Sequence, residues 1–223
     1  MPWRCPGGEK QRHTAPLSVI IVVMTGSKTT ARQLERTVAS LRGLLIDQVD
    51  YVVPTGGPDG FEPEEWDLRQ GHEPTFGCQF TTHLGVVFTL IWNDSFDGYG
   101  IEVFDQPIET FPTRPGNSGF PALIPVTDHP RWSGLLHREI LHTELAWIEW
   151  GSGGATPVWI RLDFAPVRHD QGDPHRSDSA WLVAGRWAQG RFTIPADDLT
   201  VMFDESEAVR ANLVRPRPAS VNR

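Results

Sequence analysis

Along most of the chain the apolar positions recur at the two-residue spacing of half-buried strands, and one stretch carries the wider spacing of a helix. Residues 30–41 (TARQLERTVASL) bring Leu34, Val38 and Leu41 to one face, with Glu35 and Arg36 off it. Gly43 supplies the stop. Residues 45–53 (LIDQVDYVV) then read as a strand ending at Pro54, followed by a loop at 55–60 (TGGPDG). Three further strands fall at 76–82, 85–92 and 100–104. The last two are joined by residues 93–98, where Asp97-Gly98 is a hairpin signal. Residues 107–130 are rich in proline and poor in periodic apolar positions, which predicts a linker or long surface connection.

The second half repeats this grammar. Residues 140–150 (ILHTELAWIEW) read as a strand that runs into the Gly-rich turn 151–154. At 158–164 (VWIRLDF) Val158, Ile160, Leu162 and Phe164 alternate with Trp159, Arg161 and Asp163, the pattern of a strand with one buried face. A polar loop at 168–178 precedes strands at 180–187 and 199–203, and Asp204 or Ser206 can cap a short final helix. Tyr51 aligns with Trp147, Trp92 with Trp187 and Phe104 with Phe203, in the same order and at a nearly constant offset. Three such landmarks suggest an internal duplication.

The expected fold is therefore α+β and predominantly β. Two similar antiparallel β-meander halves, at 24–106 and 131–213, are joined by the connection 107–130 and end in a flexible tail at 214–223. One helix lies near the N-terminus and a short one near the C-terminus. Residues 1–23 are either a leader or a mis-assigned start. The apolar run 17–24 (LSVIIVVM) follows Arg4, Lys10 and Arg12 like a secretory signal, but no A-x-A site follows it. It is too short for a bilayer, which takes roughly 20 residues. Two readings compete for it: a buried β-strand at 19–23, or a true translation start at Met24.

Charge and cysteine content narrow the classes. Lys and Arg number 20 against 28 Asp and Glu, a net charge of −8, and no basic run interrupts the acidic balance. A broad phosphate-binding face needs concentrated Lys and Arg, so nucleic acid is not an expected partner. The acidic balance fits solubility or a basic protein partner equally well. Cys5 and Cys78 stand far apart with no CxxC, which points to reduced thiols and a cytoplasmic location.

Four stretches resemble chemical motifs and none completes one. At 20–30 (IIVVMTGSKTT) Ser27 separates Gly26 from Lys28, out of step with a phosphate loop. At 93–98 (NDSFDG) a calcium loop would need Glu at its twelfth place, where Phe104 stands. His137 and His142 are five apart, not the four of a helical zinc pair. His169, Asp170, Asp173, His175 and Asp178 lie in a Gly- and Pro-containing loop whose composition suits hydration. No catalytic, metal-binding or cofactor-binding residue is assigned, and no cofactor is expected. Six of the nine Trp fall between Trp132 and Trp187. Trp159 beside Arg161 and Asp163, opposite the apolar stripe of its strand, is the candidate binding surface, since Trp with Arg is a common hot-spot composition. The favoured function is a non-catalytic cytosolic protein-binding module, of immunity-protein or adaptor type. The alternative is an enzyme or small-ligand binder with its pocket between the halves, where His137, His142 or His169 would converge with carboxylates.

Overall fold

Helix α1 (Ala31–Ser40) begins at Thr30, whose side chain accepts from the Gln33 amide while the Gln33 side chain accepts from the Thr30 amide. This reciprocal cap satisfies two donors that the first turn leaves free. The helix buries Leu34 and Val38. The chain leaves it through Gly43 at φ 81°, a left-handed geometry that suits a residue without Cβ. The structure, a computed structural model, describes residues 29–54, 63, 65–68, 71–111, 122–151, 153–166 and 178–215. Strands take up 49% of them and helices 15%, the predominantly β form of an α+β fold that the apolar spacing predicts.

After α1 come β1 (Ile46–Val53), β2 (Asp67–Leu68), β3 (Gly71–Thr75), β4 (Gly77–Thr82), β5 (Val87–Asn93) and β6 (Gly100–Phe104). A short 3-10 turn at Ile108–Thr110 precedes β7 (Ala122–Pro125), α2 (Pro130–Ser133), β8 (Ile140–Glu149), β9 (Ala155–Phe164) and β10 (Ser179–Ala184). The ribbon of β11 (Arg186–Ala188) and β12 (Arg191–Thr193) leads to β13 (Leu199–Met202) and α3 (Glu205–Arg210). The strands form two antiparallel sheets of order β6-β5-β4-β1-β7 and β2-β3-β13-β10-β9-β8, besides the ribbon.

Each half lays down four strands in the same order, β1-β4-β5-β6 and β8-β9-β10-β13, and a helix precedes the first strand of each. Tyr51 lies in β1 and Trp147 in β8; Phe104 ends β6 and Phe203 follows β13. Trp92 and Trp187 correspond less closely, the first within β5 and the second in β11, one strand beyond β10. The halves also exchange material. The β2–β3 hairpin of the first half joins the second sheet, where β3 pairs with β13 through Leu199↔Thr75 and Val201↔His72. Residues 107–130 are more than a connection, because β7 extends the first sheet beside β1, with Tyr51 opposite Ile124. A sheet edge tolerates proline, so Pro125 hid this strand from a periodicity reading.

The main core lies between the sheets and draws on both: Leu34, Ile46, Tyr51, Phe80 and Ile101 meet Ile160, Leu162, Leu182 and Val201. At Gly100 a Cβ would sit 2.6 Å from the Pro157 carbonyl oxygen, so the absence of a side chain lets β6 approach β9 closely. Along β10, Ala180, Leu182 and Ala184 belong to this core, while Trp181 and Val183 point the other way into a second cluster. That cluster includes Val158, Trp159 and Met202, with Ala208 of α3 and Phe192 of the ribbon against it. Both faces of the second sheet are thus covered. Among the described residues no helix is long and apolar enough to cross a membrane. Residues 1–28, the loop 55–60, residues 167–177 and the tail 216–223 lie outside the described residues, and with them Cys5, most of the stretch resembling a phosphate loop, His169 and His175.

Candidate metal centre

Where the β2–β3 hairpin of the second sheet meets β1 of the first, four elements bring polar side chains together. Asp67 of β2 and His72 of β3 are cross-strand partners. Tyr51 of β1 reaches the same point from the first sheet, with its Oη 2.6 Å from His72 Nδ1. His129 is the N-cap of α2, and its Nδ1 accepts from the Arg131 amide at 3.3 Å. Pro130 at the first helical position has no N–H, so the Arg131 amide is the first donor that this cap can satisfy. Trp132 of the same helix donates its indole Nε1–H to Tyr51 Oη at 2.7 Å.

The indole can only donate, so Tyr51 oxygen accepts there. The bond between Tyr51 and His72 can then run in two directions. With the phenol donating to Nδ1, the neutral imidazole carries its hydrogen on Nε2; with Nδ1–H donating to the phenol, Nε2 presents a bare lone pair. Tyr51, His72 and Trp132 are all fully buried. Burial pushes the Tyr51 phenol well above its ordinary value, against the bond from Trp132, which acts the other way. Burial above all, helped by His129 and Arg131, lowers the His72 imidazole to about 3. It is neutral at physiological pH, the state in which imidazole binds metal.

His72 Nε2 is buried without a hydrogen-bond partner. It lies 3.6 Å from Asp67 Oδ1, and His129 Nε2 lies 3.5 Å from Asp67 Oδ2. The two imidazole rings meet edge to face with centroids 4.4 Å apart. Trp66 stands edge-on to Tyr51, His72 and His129, and Phe203 to His72, so aromatic rings hold the imidazoles in place. Arg131 is neutralised by Glu207 of α3 at 2.7 Å, which also accepts from the Phe203 amide.

Asp67, His72 and His129 offer donor atoms that all lie within 4.8 Å of one another. In a tetrahedral zinc site, bonds of about 2.0–2.1 Å place neighbouring donors about 3.3 Å apart, so the widest pair here would have to close by up to roughly 1.5 Å to share an ion. Two imidazoles and a carboxylate suit zinc, iron, cobalt or nickel. The exposures are graded. The His72 side chain is 0% exposed, His129 22% and Asp67 58%, so the cluster is anchored inside and opens to solvent on the Asp67 side.

The candidates named from sequence lie elsewhere. Trp159 is 8% exposed and packs in the second cluster. Arg161 stacks over the Trp181 ring and bonds Asp163 at 2.7 Å, and Asp163 also accepts from Ser179. His137 pairs with Asp47 and His142 with Asp163, both histidines being exposed, and neither joins the seam. Asp178 is held by the buried Arg138. In the segment 93–98, Asp97 turns away to accept from the Ala155 amide. The cluster at the seam has no local motif: Asp67 and His72 flank a hairpin, and His129 enters from a connection 57 positions further on. The one sequence signal was His129-Pro130, an N-cap followed by proline at the first helical position. The chain matches no protein-family model, no curated protein and no solved structure.

Proposed function

We propose that this chain is a cytoplasmic metal-dependent protein, which holds one divalent first-row transition cation through Asp67, His72 and His129. The ion acts there as a Lewis acid toward water or a small ligand. The observation that carries this is His72 Nε2, a buried polar atom without a partner, facing a carboxylate and a second imidazole. An unpaired buried polar atom costs about 1–3 kcal/mol, and a metal ion is one way to recover it. Three protein ligands with a solvent-facing side are the number that catalytic zinc sites use, since a fourth position stays open for water or substrate. This is the ligand-site alternative raised by the sequence, placed on other histidines. It ranks above partner docking at Trp159, Arg161 and Asp163 because the Trp159 ring is buried.

The test is a titration of chelator-treated protein with Zn2+ by calorimetry and with Co2+ by visible absorption. One ion per chain is expected. Asp67→Asn and His72→Gln should each weaken binding by at least the roughly 10- to 100-fold typical of losing an outer hydrogen-bond partner of a ligand. Absence of a stoichiometric ion, or Asp67→Asn binding as tightly as the parent, refutes the proposal.

A further inference from the structure

We infer that metal binding at this site releases the N-cap of α2, so that occupancy of the ion is read out in the helix that carries Arg131 and Trp132. The inference rests on the metal-binding reading above and concerns one residue with two incompatible duties. His129 Nδ1 accepts the Arg131 amide hydrogen, which makes Nδ1 the unprotonated nitrogen and leaves the ring hydrogen on Nε2. A neutral imidazole has one lone pair to give. If Nε2 binds the ion, the hydrogen moves to Nδ1 and two N–H groups face each other at the cap. If Nδ1 binds the ion, its lone pair is spent. Whichever nitrogen coordinates, the Arg131 amide loses its acceptor. No net proton is released, because each ring keeps one hydrogen.

His72 reaches the same helix through Tyr51. Coordination through Nε2 places its hydrogen on Nδ1, which then donates to Tyr51 Oη, an oxygen that already accepts from Trp132 of α2. Where the phenol donates to Nδ1 without metal, its hydrogen has to turn elsewhere on binding; where Nδ1–H already donates, the bond is kept. Both imidazoles therefore bear on the same four-residue helix, one through its cap and one through the acceptor of Trp132. Arg131 in turn ties that helix to α3 through Glu207, so the disturbance has a path to the outer cover of the second sheet. Short helices depend on their caps, since four residues provide little hydrogen bonding of their own.

The experiment uses the full chain, isotopically labelled, with Zn2+ as the probe, and follows amide hydrogen exchange and chemical shift by NMR. At one equivalent of zinc the Arg131 amide should shift and exchange at least about tenfold faster, as an uncapped first-turn donor does. The Gln33 amide, capped by Thr30 in α1, should not change. His129→Asn keeps a strong capping side chain but removes the imidazole. In that variant zinc should bind at least about tenfold more weakly, with the Arg131 amide unmoved by it. Zinc binding one to one with the Arg131 amide unchanged overturns the coupling and leaves the metal site standing. Failure of the parent protein to bind zinc overturns both. An Arg131 response that persists in saturated His129→Asn also overturns the coupling, because the cap would then not be its cause.

Discussion

Tyr51→Phe removes one oxygen from a site with no room for compensation. The hydroxyl accepts from Trp132 at 2.7 Å and lies 2.6 Å from His72 Nδ1. All three residues are fully buried. Phenylalanine keeps the ring and its edge-on contacts with Trp66 and His72, so the packing loss is small. What remains is an indole N–H and an imidazole nitrogen, both stranded. At about 1–3 kcal/mol for each buried group left unpaired, the variant should lose about 2–6 kcal/mol. For a chain of this size about 2–4 °C of Tm accompanies each kcal/mol, so melting should fall by at least about 4 °C. Urea denaturation with chelator present gives the free energy without a contribution from bound metal. The sharper form is a double-mutant cycle with Trp132→Phe. Once the oxygen is gone, removing the indole deletes a stranded donor, so the double variant should be less destabilised than the sum of the singles by about 1–3 kcal/mol. Tyr51→Phe within about 0.5 kcal/mol of the parent, or additivity within about 0.5 kcal/mol, refutes this account of the seam.

Two further predictions rest on the first sheet. Glu102 of β6 is fully buried with neither carboxylate oxygen in good hydrogen-bond geometry, and burial above all raises its pKa, against weaker polar contacts with Ser95, Thr29 and Asn93 that lower it. Ionisation is then harder in the folded chain than in the unfolded one, so stability falls as pH rises from the unfolded pKa toward the folded one, by up to about 1.4 kcal/mol for each pH unit between them. Glu102→Gln should therefore melt above the parent at pH 7 and lose that advantage at pH 4, in paired melts at the two pH values; an unchanged difference contradicts it. Gly100→Ala would place a Cβ 2.6 Å from the Pro157 carbonyl oxygen and 2.8 Å from Thr156 Cγ2, and the sheets must part to admit it. About 1–3 kcal/mol of lost stability in urea is expected, and a neutral variant would show that the approach of β6 to β9 is slack.

Much of the fold follows from local physics that the sequence states outright. The spacing of Leu34, Val38 and Leu41 dictates an amphipathic helix whatever lies beneath it, and the alternation at 158–164 dictates a strand. The two runs of strands share the neighbour order β1-β4-β5-β6 and β8-β9-β10-β13. Strands β2, β3 and β7 were not legible because they are short, contain Pro74 or Pro125, or exist by pairing with a neighbour far along the chain. Their strand character comes from the partner's hydrogen bonds and not from their own side-chain pattern. The same holds for burial: alternation assigned Trp159 to an open face, but α3 and the β11–β12 ribbon cover that face from later in the chain. The site is the extreme case. Asp67, His72, His129 and Tyr51 come from four separate elements, and nothing in their spacing ties one to another beyond the hairpin. They meet because β3 pairs with β13 in one sheet while β1 lies in the other, so only the packing of the two sheets decides that a buried imidazole should face a carboxylate and a second imidazole.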